Sequence, residues 1–410
     1  MHATRSPRGD DREPTLIVEP LLRSVARGVG PGRVQNGRAA ETVDLLERRQ
    51  ACCDAVPLTD RDRTGEPDDG RVCPGPRMPS SQASRTSPLR PVDDHLLRTL
   101  TRMTTRALVL GGGGPVGIAW ETGLAVGLAR RGVDLAVADR IVGTSAGSVV
   151  GAQLAAGLNL VERAERVYLQ APGEGGSAVD RALAAEVDPA VGARLMHLIE
   201  ALGGLGPAGA PDAPGDPAMV ELGRRAVESS VGTEESFLSL FAEFAEHDWP
   251  ERFACTAVDT ASGRFRVWEQ SSGIPLDRGV ASSCSVPFVY PPITIGNARF
   301  MDGGMRSALN ADLGAGFDAV VVVSVLADLP PGVELPMAAR ETSARTAHLD
   351  GLRSSGSTVE LVMPSDELVE ISGMGLHLMD ASRGPAAYAA GLRQAEVEAE
   401  RLTAAWHGRP

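Results

Sequence analysis

Gly143-Thr144-Ser145-Ala146-Gly147 has the pattern G-x-S-x-G. A serine that attacks a carbonyl carbon has to project from a sharp turn between a strand and a helix. Glycines two residues before and after it remove side chains that such a turn cannot hold. The N-terminus of the following helix favours negative charge near the serine. The local pattern suits this chemistry: Ile141–Val142 reads as the end of a strand, and Ser148–Ala156 is compatible with a helix. A chain with 47 glycines can produce such a match by chance, so the strand–turn–helix context carries the assignment.

A second glycine cluster, Gly111-Gly112-Gly113-Gly114-Pro115-Val116-Gly117, follows a short apolar strand and opens a helix. Gly112-x-Gly114-x-x-Gly117 has the spacing of a dinucleotide-binding turn, and Asp134 and Asp139 stand where a ribose-binding acid is expected. Consecutive glycine amides can instead hold the oxyanion of a tetrahedral intermediate. A plain strand–helix connection is the third reading. Val133–Val137 makes a poor second strand, and the serine turn follows so soon that the same unit has to serve it. No Gly-Lys-Ser/Thr follows, which argues against a nucleotide triphosphate loop.

A candidate acid, Asp302, leads Asp302-Gly303-Gly304 and follows the short strand candidate Arg299–Met301. By itself Asp-Gly reads as an ordinary hairpin turn. Upstream, Ala281–Pro287 and Tyr290-Pro291-Pro292 suggest a small-residue helix that ends against packed backbone. Cys284 and Cys255 fit as buried fillers rather than nucleophiles.

Elements that position these residues begin only at Arg106. Residues 1–103 are dominated by Pro, Gly, Arg and Asp and offer little to bury, so they are expected to stay disordered, with at most short helical stretches at Leu21–Arg27 and Thr42–Arg49. A chain beginning at Met103 is expected to keep full activity. From there on, Ala107–Leu110 is a strand, Val116–Arg131 a helix, and a small-residue helix runs to about Leu158. Strand, glycine turn and helix, twice over, describe a parallel sheet covered by helices. Asn159–Glu246 is mostly helical by pattern and broken by the Gly/Pro/Ala loop Gly203–Pro217. Strands resume at Phe253–Val258, Arg264–Trp268, the valine-rich Ala319–Val325 and Thr358–Met363, and Pro385–Trp406 closes the chain as a helix.

Composition excludes several classes. The formal net charge is −13 over 410 residues, and the part after residue 103 holds 23 Arg against 38 acids. Such a body repels phosphate backbones, so nucleic acid is not an expected partner. Apolar runs are too short to span a bilayer, which limits any membrane contact to the periphery. Five cysteines (Cys52, Cys53, Cys73, Cys255, Cys284) show neither disulfide nor zinc spacing and fit a cytoplasmic compartment.

Taken in order, Gly112–Gly117, Gly143–Gly147, Ala281–Pro287 and Asp302–Gly304 resemble the patatin-like phospholipase family. Arg306 and Asn310-Ala311-Asp312 also resemble its bacterial members. The resemblance is strong over about Arg106–Asp312 and leaves the first hundred residues untouched. It implies a three-layer α/β/α fold with a mostly parallel central sheet, in which residues 104–315 form the catalytic core, 159–250 a helical insertion or lid, and 316–410 complete the fold. It implies a dyad: Ser145 as nucleophile, Asp302 taking its proton, and the amides of Gly112, Gly113 and Gly114 as oxyanion hole, supported by Gly117, Gly143, Gly147, Gly303 and Gly304. No metal or organic cofactor is implied, and the substrates implied are lipid acyl esters such as phospholipids or acylglycerols. Gly111 and Val116 depart from the family, which often has an acid and an Arg or Lys there; the missing cation weakens the case for an anionic head group.

An ordinary aspartate is too weak a base for a serine. Asp302 is therefore expected in a narrow, mostly apolar cleft that raises its pKa. Leu195, Met196, Leu198, Ile199, Phe237, Leu240, Phe241 and Phe244 of the insertion are the candidates for its wall. Two rivals stay open: a Ser-Asp-His triad using His348 or His377, and a non-catalytic lipid- or nucleotide-binding domain.

Overall fold

The computed structural model describes residues 104–169, 189–229, 231–330 and 335–407. The disordered segment expected over 1–103, with its helical stretches, three of the cysteines and the start at Met103, lies outside the described residues. So does the 170–188 part of the expected insertion.

One eight-stranded sheet is built from β1 (Arg106–Leu110), β2 (Arg140–Gly143), β3 (Phe253–Asp259), β4 (Phe265–Glu269), β5 (Ile293–Ile295), β6 (Ala298–Asp302), β7 (Ala319–Val323) and β8 (Thr358–Val362). The helices between them are α1 (Gly114–Arg130), α2 (Ala146–Ala155), α3 (Leu160–Ala164), α4 (Pro189–Gly203), α5 (Pro217–Glu228), α6 (Glu234–Leu238), α7 (Leu276–Ser283), α8 (Pro336–Ser354), α9 (Asp366–Ile371) and α10 (Gly384–Trp406). β3, β2, β1, β7 and β8 pair in parallel, and β4 and β6 join β3 antiparallel. The fold is a mixed α/β architecture with a mostly parallel central sheet.

Strand side chains alternate between faces, and here both faces are buried. Leu108, Leu110, Ile141, Val321 and Val323 pack into one cluster with α1, α2 and α10. Ala107, Val109, Val142, Val320 and Val322 pack on the other side with Leu349 and Leu352 of α8. This two-sided burial explains the uninterrupted apolar texture of β7, where each buried valine contributes about 1.5–3 kcal/mol relative to exposure.

One detail of the register positions the candidate site. β4 occupies one whole edge of β3, pairing residues 254–258. β2 pairs with 253–255 and β6 with 257–259, so these two strands must share the opposite edge. β2 runs parallel to β3 and β6 antiparallel, and they approach each other head-on. Gly143 at the end of β2 lies opposite Cys255, and Asp302 at the end of β6 lies opposite Ala257. Two residues along a strand separate them, about 7 Å.

Candidate active site

Ser145 follows β2 by two residues and caps the N-terminus of α2. Its backbone has φ 52° and ψ −117°, a conformation an L-residue rarely adopts, so strain is stored at this position. The turn is as tight as its glycines allow. A Cβ on Gly143 would lie 2.4 Å from the Gly147 carbonyl oxygen, and one on Gly147 would lie 2.3 Å from that of Leu110. Buried bonds hold the turn from behind: the Ser145 amide donates to Ser283 Oγ at the end of α7 (3.0 Å), and Ser148 Oγ donates to the Ser145 carbonyl (2.6 Å).

Asp302 is 2% exposed, and its carboxyl accepts a bond from the Gly304 amide at 2.7 Å. Burial pushes its pKa up to about 7, against the opposing pull of the Gly304 amide and of the Ser145 hydroxyl, which is within hydrogen-bonding reach. The serine hydroxyl and a carboxyl of unusual basicity thus face each other. Gly303 packs so closely on β3 that a Cβ there would lie 2.1 Å from Thr256 Oγ1.

A buried polar network ties the two turns together. Thr144 Oγ1 and Thr256 Oγ1 are 2.9 Å apart, and Asn310 Nδ2 donates to Thr144 Oγ1 (3.1 Å), the Gly303 carbonyl (3.2 Å) and the Ser307 carbonyl (2.8 Å). Asn310 itself sits at φ 48° and is fully buried. Arg306 donates to Asn310 Oδ1 (2.7 Å), pairs in bidentate fashion with Asp312 (2.7 and 3.0 Å) and lies over the Phe265 ring. The sequence marks Arg306, Asn310 and Asp312 only as a resemblance. Their task of holding the serine and aspartate turns in register becomes visible only in three dimensions.

The glycine turn adjoins the serine. Gly112 departs from expectation: its amide donates to the Ala308 carbonyl at 2.8 Å and is not available to a ligand. α1 begins at Gly114 without a side-chain cap, and the amides of Gly113 and Gly114 donate no hydrogen bond among the described residues. Gly117 donates to the Gly113 carbonyl (2.8 Å) and lets α1 pass close to Ala146. The dinucleotide reading fails on geometry. Asp139 accepts from the Arg106 amide at the start of β1, the far end of the sheet from the glycine turn, and Asp134 caps the turn at Leu135–Val137.

An apolar cleft opens over Ser145. Ala146 and Val149 of α2, Pro115 and Ile118 of α1, and Val286 and Tyr290 line it. Of the eight wall candidates, Phe237, Leu240 and Phe241 line the cleft, and Phe237 stacks on Tyr290 with ring centroids 4.3 Å apart. Phe244 is fully buried in the core, and Leu195 and Leu198 pack with Met219 and Phe288 in a separate cluster. Met196 and Ile199 do not line the cleft. Val116, where relatives often carry a cation, is fully buried. Cys284 lines the cleft beneath Ser145, and burial pushes its thiol well above the ordinary range. Neither candidate triad histidine lines the cleft. His348 lies 3.6 Å from Asp312, and His377 packs beside Gly373. Among the described residues, no helix is long and apolar enough to cross a membrane.

Residues 108–314 match a family model described as patatin-like phospholipase. Solved structures similar to the chain include that of VipD from Legionella pneumophila, at 12% identity, covering 71% of this chain and 67% of that one with a TM-score of 0.29. Another is the type III effector protein ExoU, at 18% identity, covering 72% of this chain and 54% of that one with a TM-score of 0.26. The match thus spans about half the length of ExoU. No curated protein matches the chain.

Proposed function

The chain belongs to the patatin-like phospholipase family, a family of lipid acyl hydrolases, and from that premise we propose that it is a serine acyl hydrolase working through Ser145 and Asp302. The observation that carries this reading is the juxtaposition of a strained serine turn with a buried carboxyl whose pKa is raised to about 7.

In this reading Asp302 takes the hydroxyl proton as Ser145 Oγ bonds to the ester carbonyl carbon. A carboxylate of pKa about 7 is roughly a thousandfold more basic than an ordinary aspartate. The oxyanion is held by the free amides of Gly113 and Gly114, aided by the N-terminus of α2. Protonated Asp302 then returns its proton to the departing alkoxide as the C–O bond breaks, leaving an acyl group on Ser145. Water attacks the acyl-enzyme, its proton passes to Asp302, and the serine leaves with that proton restored while the carboxylic acid is released.

Among the described residues, the cation lining the cleft is Arg163, and it is paired with Glu243. That arrangement favours an uncharged ester, such as an acylglycerol, over an anionic phospholipid head group. The decisive experiment is labelling by a fluorophosphonate probe with peptide mapping, alongside hydrolysis of a panel of acyl esters. Labelling at Ser145, lost in Ser145→Ala, together with ester turnover lost in Asp302→Asn, is the expected outcome. Turnover that is also lost when His348 and His377 are both replaced by alanine would instead establish the triad.

A further inference from the structure

Charged side chains reach the cleft at one place among the described residues, where Arg163 meets Glu243. Ser145, Val149 and Gln153 recur every four residues, so they form a stripe along one side of α2. Ser145 and Val149 line the cleft. Gln153, fully buried, donates through Nε2 to Glu243 Oε1 at 3.2 Å. Glu243 stands on the 3₁₀ turn Ser239–Phe244, which also brings Leu240 and Phe241 to the roof. Its other carboxyl oxygen pairs with Arg163 of α3, a side chain nine-tenths buried. Three elements thus meet in a hydrogen-bonded ion pair across the path of anything that leaves Ser145 along α2.

We propose that the Arg163–Glu243 pair, braced by Gln153, is the stop of an acyl ruler that restricts the enzyme to medium-length acyl chains. This deepens the reading of Ser145 as the nucleophile and rests on it. The length follows from helix geometry. Eight residues at ~1.5 Å each put Gln153 about 12 Å along α2 from Ser145. Side chains on a helix lean toward its N-terminus, which brings the Glu243 carboxylate back to about 8–12 Å. A saturated chain with bonds of ~1.5 Å advances about 1.25 Å per carbon, so six to ten carbons fill the space. Up to that length each methylene leaves water for the apolar wall of Val149, Ile118, Leu240 and Phe241. Beyond it, the chain has to push methylenes against this ion pair, and separating it leaves the nine-tenths buried Arg163 guanidinium without its carboxylate.

The test is the chain-length profile for hydrolysis of 4-nitrophenyl esters of saturated acids from two to sixteen carbons, below their aggregation limits. In the wild-type protein, kcat/KM is expected to rise up to about fourfold per methylene. It should peak between six and ten carbons and fall at least tenfold by fourteen. Arg163→Ala combined with Glu243→Ala opens the far end and should move the peak by four or more carbons to longer chains. Val149→Phe, halfway along the stripe, should move it to four carbons or fewer. Profiles are normalised to each variant's own acetyl ester, so a loss of overall rate does not blur the shift. A wild-type profile that climbs without a break to sixteen carbons would overturn the ruler, as would a double variant that folds but keeps the wild-type peak. Should the double variant fail to fold, the wild-type profile and Val149→Phe still decide. If Ser145 takes no fluorophosphonate and no ester turns over, the hydrolase reading itself fails and the ruler falls with it.

Discussion

Asp302→Asn should cost the protein its activity and increase its stability, and the gain should depend on pH. The folded carboxyl has a pKa of about 7 against an ordinary 3.8, because burial disfavours its charge. Between those values the folded state holds a proton that the unfolded state has released. Stability therefore falls as pH rises from about 4 to about 7 and levels off above. A shift of about three pH units corresponds to about 4 kcal/mol, of which roughly 2–3 kcal/mol accrues between pH 5 and pH 8. Asparagine keeps an oxygen for the Gly304 amide but carries no charge, so it escapes this penalty. The melting temperature of Asp302→Asn relative to wild type should therefore be higher at pH 8 than at pH 5 by roughly 4–8 °C. Other titrating groups are common to both proteins and cancel in the difference. Thermal melts of both proteins at the two pH values provide the assay. An equal offset at pH 5 and pH 8 would refute the premise that burial, rather than a lost contact, governs this carboxyl.

The same shift predicts that kcat/KM for ester hydrolysis is half-maximal near pH 7 and falls about tenfold per pH unit below it, in a pH–rate profile. Glu121, 1% exposed, is also pushed well above the ordinary carboxylate range by burial, against the opposing pull of the Gly111 amide. Glu121→Gln should thus gain stability over wild type as pH rises from 5 to 8 while retaining ester turnover, which separates it from Asp302→Asn. Asn310→Ala removes bonds to both turns and leaves Thr144, Gly303 and Arg306 short of a partner. It should cost about 2–4 kcal/mol in a denaturant melt and slow fluorophosphonate labelling of Ser145 at least tenfold.

Local chemistry made much of this molecule legible. The valines of β7 announce a strand buried on both faces, and the two glycine turns mark the points where strands give way to helices. Other parts rest on signals that a single sequence carries weakly. α8 buries only Ala344, Arg345, Leu349 and Leu352, too sparse a stripe to stand out, and β5 is three residues long. Gly112 cannot be told from Gly113 without knowing that the Ala308 carbonyl arrives from two hundred residues away. The Arg163–Glu243 pair and the Asn310 network likewise join residues that no local pattern associates. Phe237 and Phe244 look alike as apolar residues of one helical stretch and both pack in the core, yet only Phe237 also lines the cleft. Only the direction each faces separates them.

The head-on meeting of β2 and β6 along one border of β3 makes the chemistry an all-or-none property of strand alignment. Side chains alternate along a strand, so a slip of β6 by a single residue would turn Asp302 to the opposite side of the sheet and leave Ser145 without its base. A misassembled or half-built sheet is therefore chemically silent.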